Sequence, residues 1–534
     1  MGITRRTALR LAGIAGALSW PLRRRVFAVM PQTPKGGPMT LTILHTNDIH
    51  GHLTEWLGWE GDLKGKTVGG LGRLAGAVAQ ARKYAGEGVL LLDAGDLLGD
   101  TMIADLTHGK ALIAALNLLG YDALTIGNHE PDFGMKGLRE RMAEAKFPTV
   151  AANLVERKGG KLFTEPYVVK KVGGVSVGIL GLAYPKTAWT TAAKNVAEVE
   201  FQDPVQAVKT YLTKMRDDGA EVAVVLSHLG LGGDKVLAKA VGGIDVIVGG
   251  HSHNRMEKVE MVGGTLIVQA GAHGSDLGRL DLTVEKGKIT AHRRTLVPLD
   301  HDKVPSDAAA ERFVEELLEP HRKALDEVIG KASGWLVRAQ TLAGQEAHKR
   351  DQESPIDSLF ADILREATKA DIALLPGVGY GVAIPPGPVT AAQLRQMVPH
   401  EGKVVTMRLT GTQVIEVLEQ AVANTFTDDQ ATKVGGMIQL GGIKFRYDPA
   451  LVKGHRVWHV ERVGGKWEPT AEYTVVTNSM LAGGGHNYRT LTKGEKRTEH
   501  GSQYETIRRW FEKNSPVGTP PTGRTEKVAM SKPK

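Results

Sequence analysis

The run DALTIGNHEPDFG, residues 122–134, decides the fold. A short apolar stretch, Ala123 to Ile126, ends at Gly127, and an amide, an imidazole and two carboxyls follow at once: Asn128, His129, Glu130 and Asp132. A solvated loop would explain this cluster if it stood alone. The same grammar recurs along the first 300 residues, in LTILHTND (41–48), GVLLLDAGD (88–96), VSVGILGLAY (175–184), VAVVLSHLG (222–230), IDVIVGGHSH (244–253) and TLIVQAGAHG (265–274). Each is four to six apolar residues flanked by glycine or turn formers, the pattern of strands buried on both faces. Helical patterns lie between them, as in GRLAGAVAQARKYAG (72–86), KALIAALNLLG (110–120) and DPVQAVKTYLTKMRDDG (203–219). The alternation predicts a layered α/β domain over residues 39–300.

Beyond it, SDAAAERFVEELLEPHRKALDEVIGK opens on Ser306 and Asp307 as helix caps and repeats its apolar residues at spacings of three and four. A connecting amphipathic helix is expected over 305–332, interrupted or kinked at Pro320. A second domain of mixed helices and strands, α+β in style, is expected over 335–513. The Pro-, Lys- and Thr-rich tail, 514–534, reads as disordered.

At 534 residues, two domains are the natural prior. Hydrophobic residues make up 42% and charged residues 24%, an ordinary globular balance. Cysteine is absent, which excludes disulfides and thiolate chemistry and restricts any metal site to imidazole, carboxylate and amide ligands. Residues 1–30 carry Arg5-Arg6 ahead of a short, weakly apolar stretch, a twin-arginine-like export signal too short to span a bilayer. An exported, periplasmic or extracytoplasmic protein without a membrane span after processing is therefore expected. That segment also holds six arginines and no acid, so removing those charges from the formal +8 leaves +2. With no basic stripe interleaved with aromatics, a nucleic-acid polymer is not an expected partner.

The polar residues at the strand ends form a set: Asp48 and His50, Asp96, Asn128 and His129, His228, and His251 and His253. In open α/β sheets the carboxyl ends of strands share one crevice, so side chains far apart in sequence can meet there. The donors divide between two ions: Asp48, His50 and His253 on one; Asn128, His228 and His251 on the other; and Asp96 bridging. Two cations about 4 Å apart need a bridging anion to offset their repulsion. Mixed oxygen and nitrogen donors without sulfur favour Mn, Zn, Fe or Co over calcium, with manganese the first choice. His45, His52 and His273 read as structural or supporting residues.

The segments NDIHGHL, DAGD, GNHEPDFG, SHLG and GGHSHN resemble the signature of the bacterial 5'-nucleotidase family of binuclear metallophosphoesterases. That family includes UDP-sugar hydrolases, 2',3'-cyclic-nucleotide phosphodiesterases and the thiosulfohydrolases of sulfur oxidation. The resemblance runs over residues 39–500, and AIPPGPVTAAQL, RLTGTQVIEVLE, GGMIQLGGIKFRYDP and LAGGGHNY resemble the family's substrate domain. It implies a four-layer αββα sandwich joined by a linker helix to an α+β C-terminal domain. It further implies a two-metal hydrolase of small phosphoesters, in which a hydroxide shared by the ions attacks phosphorus in line. His129 would stabilise phosphoryl charge or pass a proton to the leaving group, and Asp132 would orient that imidazole. Glu130 is expected as a supporting hydrogen-bond acceptor.

The substrate domain departs from the family pattern. Tyr380 and Gly381 stand where Ile-Arg is usual, Met437 and Met480 occupy the two positions of the aromatic clamp, and His486 replaces a ribose-binding aspartate. Methionine packs on a base without the quadrupole of a ring. Two other readings follow: a thiosulfohydrolase-like enzyme acting on a sulfonate held by a sulfur-carrier protein, and a binding module that retains metals without turnover.

Overall fold

Strand alternation explains why each apolar run is continuous. In Val89–Asp93, Leu90 and Leu92 point one way and Leu91 the other, and all three are fully buried. Leu90 and Leu92 join Leu41, Ile43, Val222, Val224, Val246 and Val248 in a core between two sheets. Leu91 instead packs with Leu44 against Leu74, Val78, Leu112 and Leu116 of the flanking helices. The same division sends Val225 and Ile247 outward onto Leu212, Met215 and Leu237. Each such side chain contributes about 1.5–3 kcal/mol by leaving water. The outcome is a helix–sheet–sheet–helix sandwich of two six-stranded sheets.

This computed structural model describes residues 39–529 except 59–60, 339–350, 380, 401 and 428–434. The expected export segment and Tyr380 lie outside the described residues. Among the described residues, no helix is long and apolar enough to cross a membrane.

In the first sheet Met39–Thr46, Val89–Asp93, Ala123–Thr125 and Thr149–Val150 run parallel, with Thr46 beside Asp93 and Asp93 beside Leu124. On its other side the long strand Asp276–Glu285 runs antiparallel to Met39–Thr46, and Lys288–Pro298 forms the edge beyond it. In the second sheet Val222–Ser227 and Val246–Gly249 are parallel neighbours that end level, Ser227 beside Gly249. The carboxyl ends of these strands therefore finish at one rim, which is where the polar clusters begin.

The second domain is built on a five-stranded sheet in the order Gln439–Gly441, Ile372–Leu375, Glu472–Asn478, Lys403–Thr410, Glu495–Ser502. Helices Pro355–Thr368 and Gln503–Asn514 cover one face through Phe360, Leu364, Ile507 and Phe511, and Gly411–Thr425 covers the other through Val414, Val417 and Leu418.

Two boundaries differ from expectation. The linker helix is Ala308–Leu318, followed by a 3-10 turn, Glu319–His321, and a short helix, Arg322–Leu325. Pro320 lacks the amide the helix would need, so the break falls on it. Val328–Ala332, placed within the linker by sequence, is instead a strand paired antiparallel with Gly387–Thr390, and the second domain starts there. The tail is also held through Val528, whose amide donates to the carbonyl of Tyr447 at 2.9 Å. Thr525–Lys527 adds a parallel strand to Ile443–Tyr447, Val517 is buried, and Arg524 pairs with Asp362 at 2.6 Å. Its composition reads as solvated because these partners lie tens to hundreds of residues away.

The domains meet where Arg395 of the second pairs through Nε and Nη2 with Asp105 of the first, at 2.6 and 3.2 Å. Arg395 is 7% exposed and also donates to the carbonyl of Val398. Asp105→Ala would strand this guanidinium, and because Asp105 itself is about a third exposed the loss is expected at about 1–2 kcal/mol. Urea unfolding against wild type reads it.

Candidate metal centre and active site

Five strand-to-loop junctions deliver the predicted donors to one place. Asp48, His50, Asp96, His251 and His253 all adopt left-handed φ angles, 53°, 48°, 56°, 70° and 57°. Non-glycine residues rarely do so, and such strain persists where surrounding contacts impose it. The loops approach so closely that a Cβ on Gly127 would lie 2.2 Å from Oδ1 of Asp96, and one on Gly250 2.8 Å from the carbonyl of Ala94. Glu130 ties two of the loops together, its carboxylate accepting from the amides of Asp96, Leu97 and Gly127 at 3.0, 2.8 and 2.6 Å. This agrees with the supporting role read from sequence.

The donors fall into groups. Nε2 of His50 lies 3.1 Å from Nε2 of His253 and 3.8 Å from Oδ1 of Asp48, and Oδ1 of Asp48 is 3.3 Å from Nε2 of His253. Beside them, Oδ2 of Asp96 lies 3.0 Å from Nε2 of His228 and 4.0 Å from Nε2 of His50. Nδ1 of His251 is 2.8 Å from Oδ1 of Asn128. All seven predicted ligands are thus brought together, with Asp96 between the two groups. Asp48, His50 and His253 form one set with atoms within 4.8 Å of one another, and Asp96, His228 and His251 another.

The donor chemistry fits a pair of cations. Buried carboxylates need positive charge beside them. In the metal-free chain protonated imidazoles supply it, and the 3.1 Å approach of the Nε2 atoms of His50 and His253 fits one donating to the lone pair of the other. A cation held by both lone pairs would take that hydrogen's place. Nδ1 of His228 lies 2.6 Å from the carbonyl of Ala94, a pure acceptor, so Nδ1 carries a hydrogen; burial opposes a second one, but Asp96 and Asp48 raise the ring to about 10 in the metal-free chain, and a bound cation would take the place of the proton on Nε2.

Nδ1 of His129 contacts Oδ2 of Asp132 at 2.7 Å. Asp132 is fixed in turn: Thr191 donates to its Oδ1 at 2.9 Å and Asn195 to its carbonyl at 2.8 Å. Burial alone would lower the pKa of His129, but Asp100, Asp132 and Asp96 outweigh it and hold the imidazole well above its usual value. Burial likewise opposes charge on Asp96, yet His228 and His129 keep that carboxylate well below the usual range.

Asp93 behaves in the opposite way. Burial pushes it up to about 7, while a hydrogen bond from the Thr46 hydroxyl, 2.6 Å, resists. Its native form is therefore largely the neutral acid, whereas the unfolded chain ionises near pH 4. Between those values the native state binds more protons, so stability falls as pH rises from about 4 to about 7. Asp93→Asn mimics the neutral acid and keeps both of its contacts, to Thr46 and to the amide of Gly95. Thermal melts of the metal-free protein should show the variant gaining on wild type across that window and at pH 8.

Three of the four residues expected to bind substrate are described, and they lie near one another: Met437 and Met480 share one core, and a Cβ on Gly485 would meet Met480 and one on Gly435 the ring of His486. Met437 is fully enclosed in the C-terminal core, 0% exposed, and presents no face to a crevice. Met480 is half-buried against the same core. His486 has φ 49° and is half-buried in the turn Gly485–Asn487, which lies against the Thr187–Thr190 helix of the first domain. Tyr380 is outside the described residues.

Sequence reasoning missed three residues at the site. Asp100, 3% exposed, faces His50 and His129. His400 of the second domain stacks on His129 with centroids 5.1 Å apart and planes at 6°. The Tyr184 ring lies 3.9 Å from that of His251. Asp100 carried a usable signal, a further carboxylate four positions after Asp96. His400 had none, because only the docking of the domains brings it there.

Comparison with known proteins bears on the whole chain. Residues 41–255 match the family described as calcineurin-like phosphoesterase, and residues 328–493 the one described as 5'-nucleotidase, C-terminal domain. The trifunctional nucleotide phosphoesterase protein YfkN of Bacillus subtilis is 28% identical over 87% of the chain, which spans only 33% of that relative's length. Among solved structures, a 5'-nucleotidase precursor from Thermus thermophilus superposes with a TM-score of 0.82 at 29% identity, covering 92% of this chain and 100% of its own. The sulfate thiohydrolase SoxB of Thermus thermophilus also reaches 0.82, at 22% identity over 94% and 98%, a likeness of fold alone.

Proposed function

The chain belongs to the 5'-nucleotidase family of metallophosphoesterases, and on that premise we propose that it is an exported hydrolase of nucleotides or related small phosphoesters. The observation that carries the reading is the meeting of seven oxygen and nitrogen donors beside an oriented His129–Asp132 pair. Asp48, His50 and His253 would hold one divalent ion, Asn128, His228 and His251 the other, with Asp96 shared. Manganese is the proposed metal. Ions bound there would supply Lewis acidity and offset the charge of the phosphoryl oxygens.

The chain's own residues do the rest. Asp132, pinned by Thr191 and Asn195, fixes the His129 ring and favours its protonated form. The imidazolium then has Nε2–H free of Asp132 to donate to a phosphoryl oxygen or to the departing alkoxide. Asn128 contributes a neutral oxygen, which limits the negative charge on the second ion. His400, stacked on His129, encloses that ring and lessens its contact with water.

Substrate choice rests on a domain with methionines at the two clamp positions, of which Met437 is enclosed. The purified mature protein with Mn²⁺ should therefore be offered AMP, UDP-glucose, bis-p-nitrophenyl phosphate and a carrier-bound thiosulfonate. Turnover of at least one phosphoester is expected. Turnover of the thiosulfonate alone would replace this reading with the thiosulfohydrolase one. Export is tested separately: Arg5→Lys together with Arg6→Lys should leave the full chain in the cytoplasm.

A further inference from the structure

We propose that Asp100 is a positioning residue of the metal centre: its carboxylate fixes the ring of His50 and thereby the first cation site. The inference rests on the metal assignment above. It begins with the two nitrogens of His50. Nε2 is turned to His253, Asp48 and Asp96 at 3.1, 3.8 and 4.0 Å, while Nδ1, on the opposite edge, lies 2.8 Å from Oδ2 of Asp100. A neutral imidazole has one N–H. Placed on Nδ1 it meets a carboxylate, and the lone pair of Nε2 is left for a cation. His228 achieves the same polarity with the carbonyl of Ala94.

Asp100 is built for this and little else. It is 3% exposed, has a left-handed φ of 62° and, among the described residues, receives no backbone amide or hydroxyl hydrogen bond. Three imidazoles face it: His50 at 2.8 Å, His129 at 3.8 Å and, from the second domain, His400 at 3.7 Å. A strained, buried carboxylate faced by imidazoles alone among the described residues is costly unless those rings need it. His50, Asp100 and His129 also lie close enough to hold a metal themselves. One contact argues against that use: Nδ1 of His129 is already taken by Asp132 at 2.7 Å.

Titration of the metal-free full chain with Mn²⁺, followed by calorimetry, tests this without reference to turnover. Wild type should bind two equivalents. Asp100→Ala should weaken one of them by about 10–100-fold, the usual effect of removing an outer partner of a ligand. Asp100→Asn keeps an acceptor oxygen in place and should stay within about threefold of wild type. In a His50→Ala background, adding Asp100→Ala should change nothing further, which a general structural role would not produce. Unchanged binding in Asp100→Ala, a loss in Asp100→Asn equal to that in Asp100→Ala, or a third equivalent that vanishes with Asp100 would each overturn the inference. Failure of wild type to take up two equivalents would instead overturn the metal assignment.

Discussion

Replacing His129 by alanine is expected to lower kcat by about 10²–10⁴-fold, the range for losing a positioned acid or base, while both metal equivalents remain bound. The separation of effects follows from placement. The His129 side chain is not one of the seven donors, and its main-chain amide, which donates to Oδ1 of Asp96 at 2.8 Å, survives the substitution. What disappears is the ring held by Asp132. Steady-state kinetics on a phosphoester, alongside metal analysis of the same preparation, reads both quantities. Asp132→Asn should reproduce part of the loss, because an amide still accepts from Nδ1 but no longer favours the imidazolium. Turnover that survived His129→Ala would remove the imidazole from the chemistry.

Asp96→Ala should be more damaging, and in a different way. Oδ2 of Asp96 lies between the two donor groups, and burial has been offset around it by His228 and His129. Without a shared anion, two divalent ions at close range repel strongly. The variant should hold no more than one equivalent of metal, and turnover should fall by more than about 10³-fold, since the ions supply several kcal/mol of transition-state stabilisation and each 1.36 kcal/mol is tenfold. Elemental analysis after extensive dialysis distinguishes this from His129→Ala, in which metal is retained.

Much of the first domain was legible because its strands are buried on both faces and stop at residues that cannot continue them. The run from Val89 to Asp93 is apolar on every side chain until the rim, and the turn that follows must present Asp96. Recurrence of that pattern at His228, His251 and His253 carried the metal site. Features of the second domain were less legible. Met437 falls at a motif position expected to face substrate, but the turn before Gln439–Gly441 takes it into the core. Arg395 and His400 sit in an ordinary amphipathic stretch, and nothing local distinguishes a residue that contacts the other domain from one that faces water. The strand Thr525–Lys527 was hidden for the same reason, since its Pro- and Lys-rich surroundings acquire structure from partners distant in sequence, Ile443–Tyr447 and Asp362 among them.

The assignment rests on two cations at one rim of the sandwich, and anomalous diffraction from crystals grown with Mn²⁺ addresses it directly. Two peaks about 4 Å apart are expected, one within bonding distance of Asp48, His50 and His253, the other of Asn128, His228 and His251, with Asp96 reaching both. A single peak, or manganese bound away from Asp96, would contradict it.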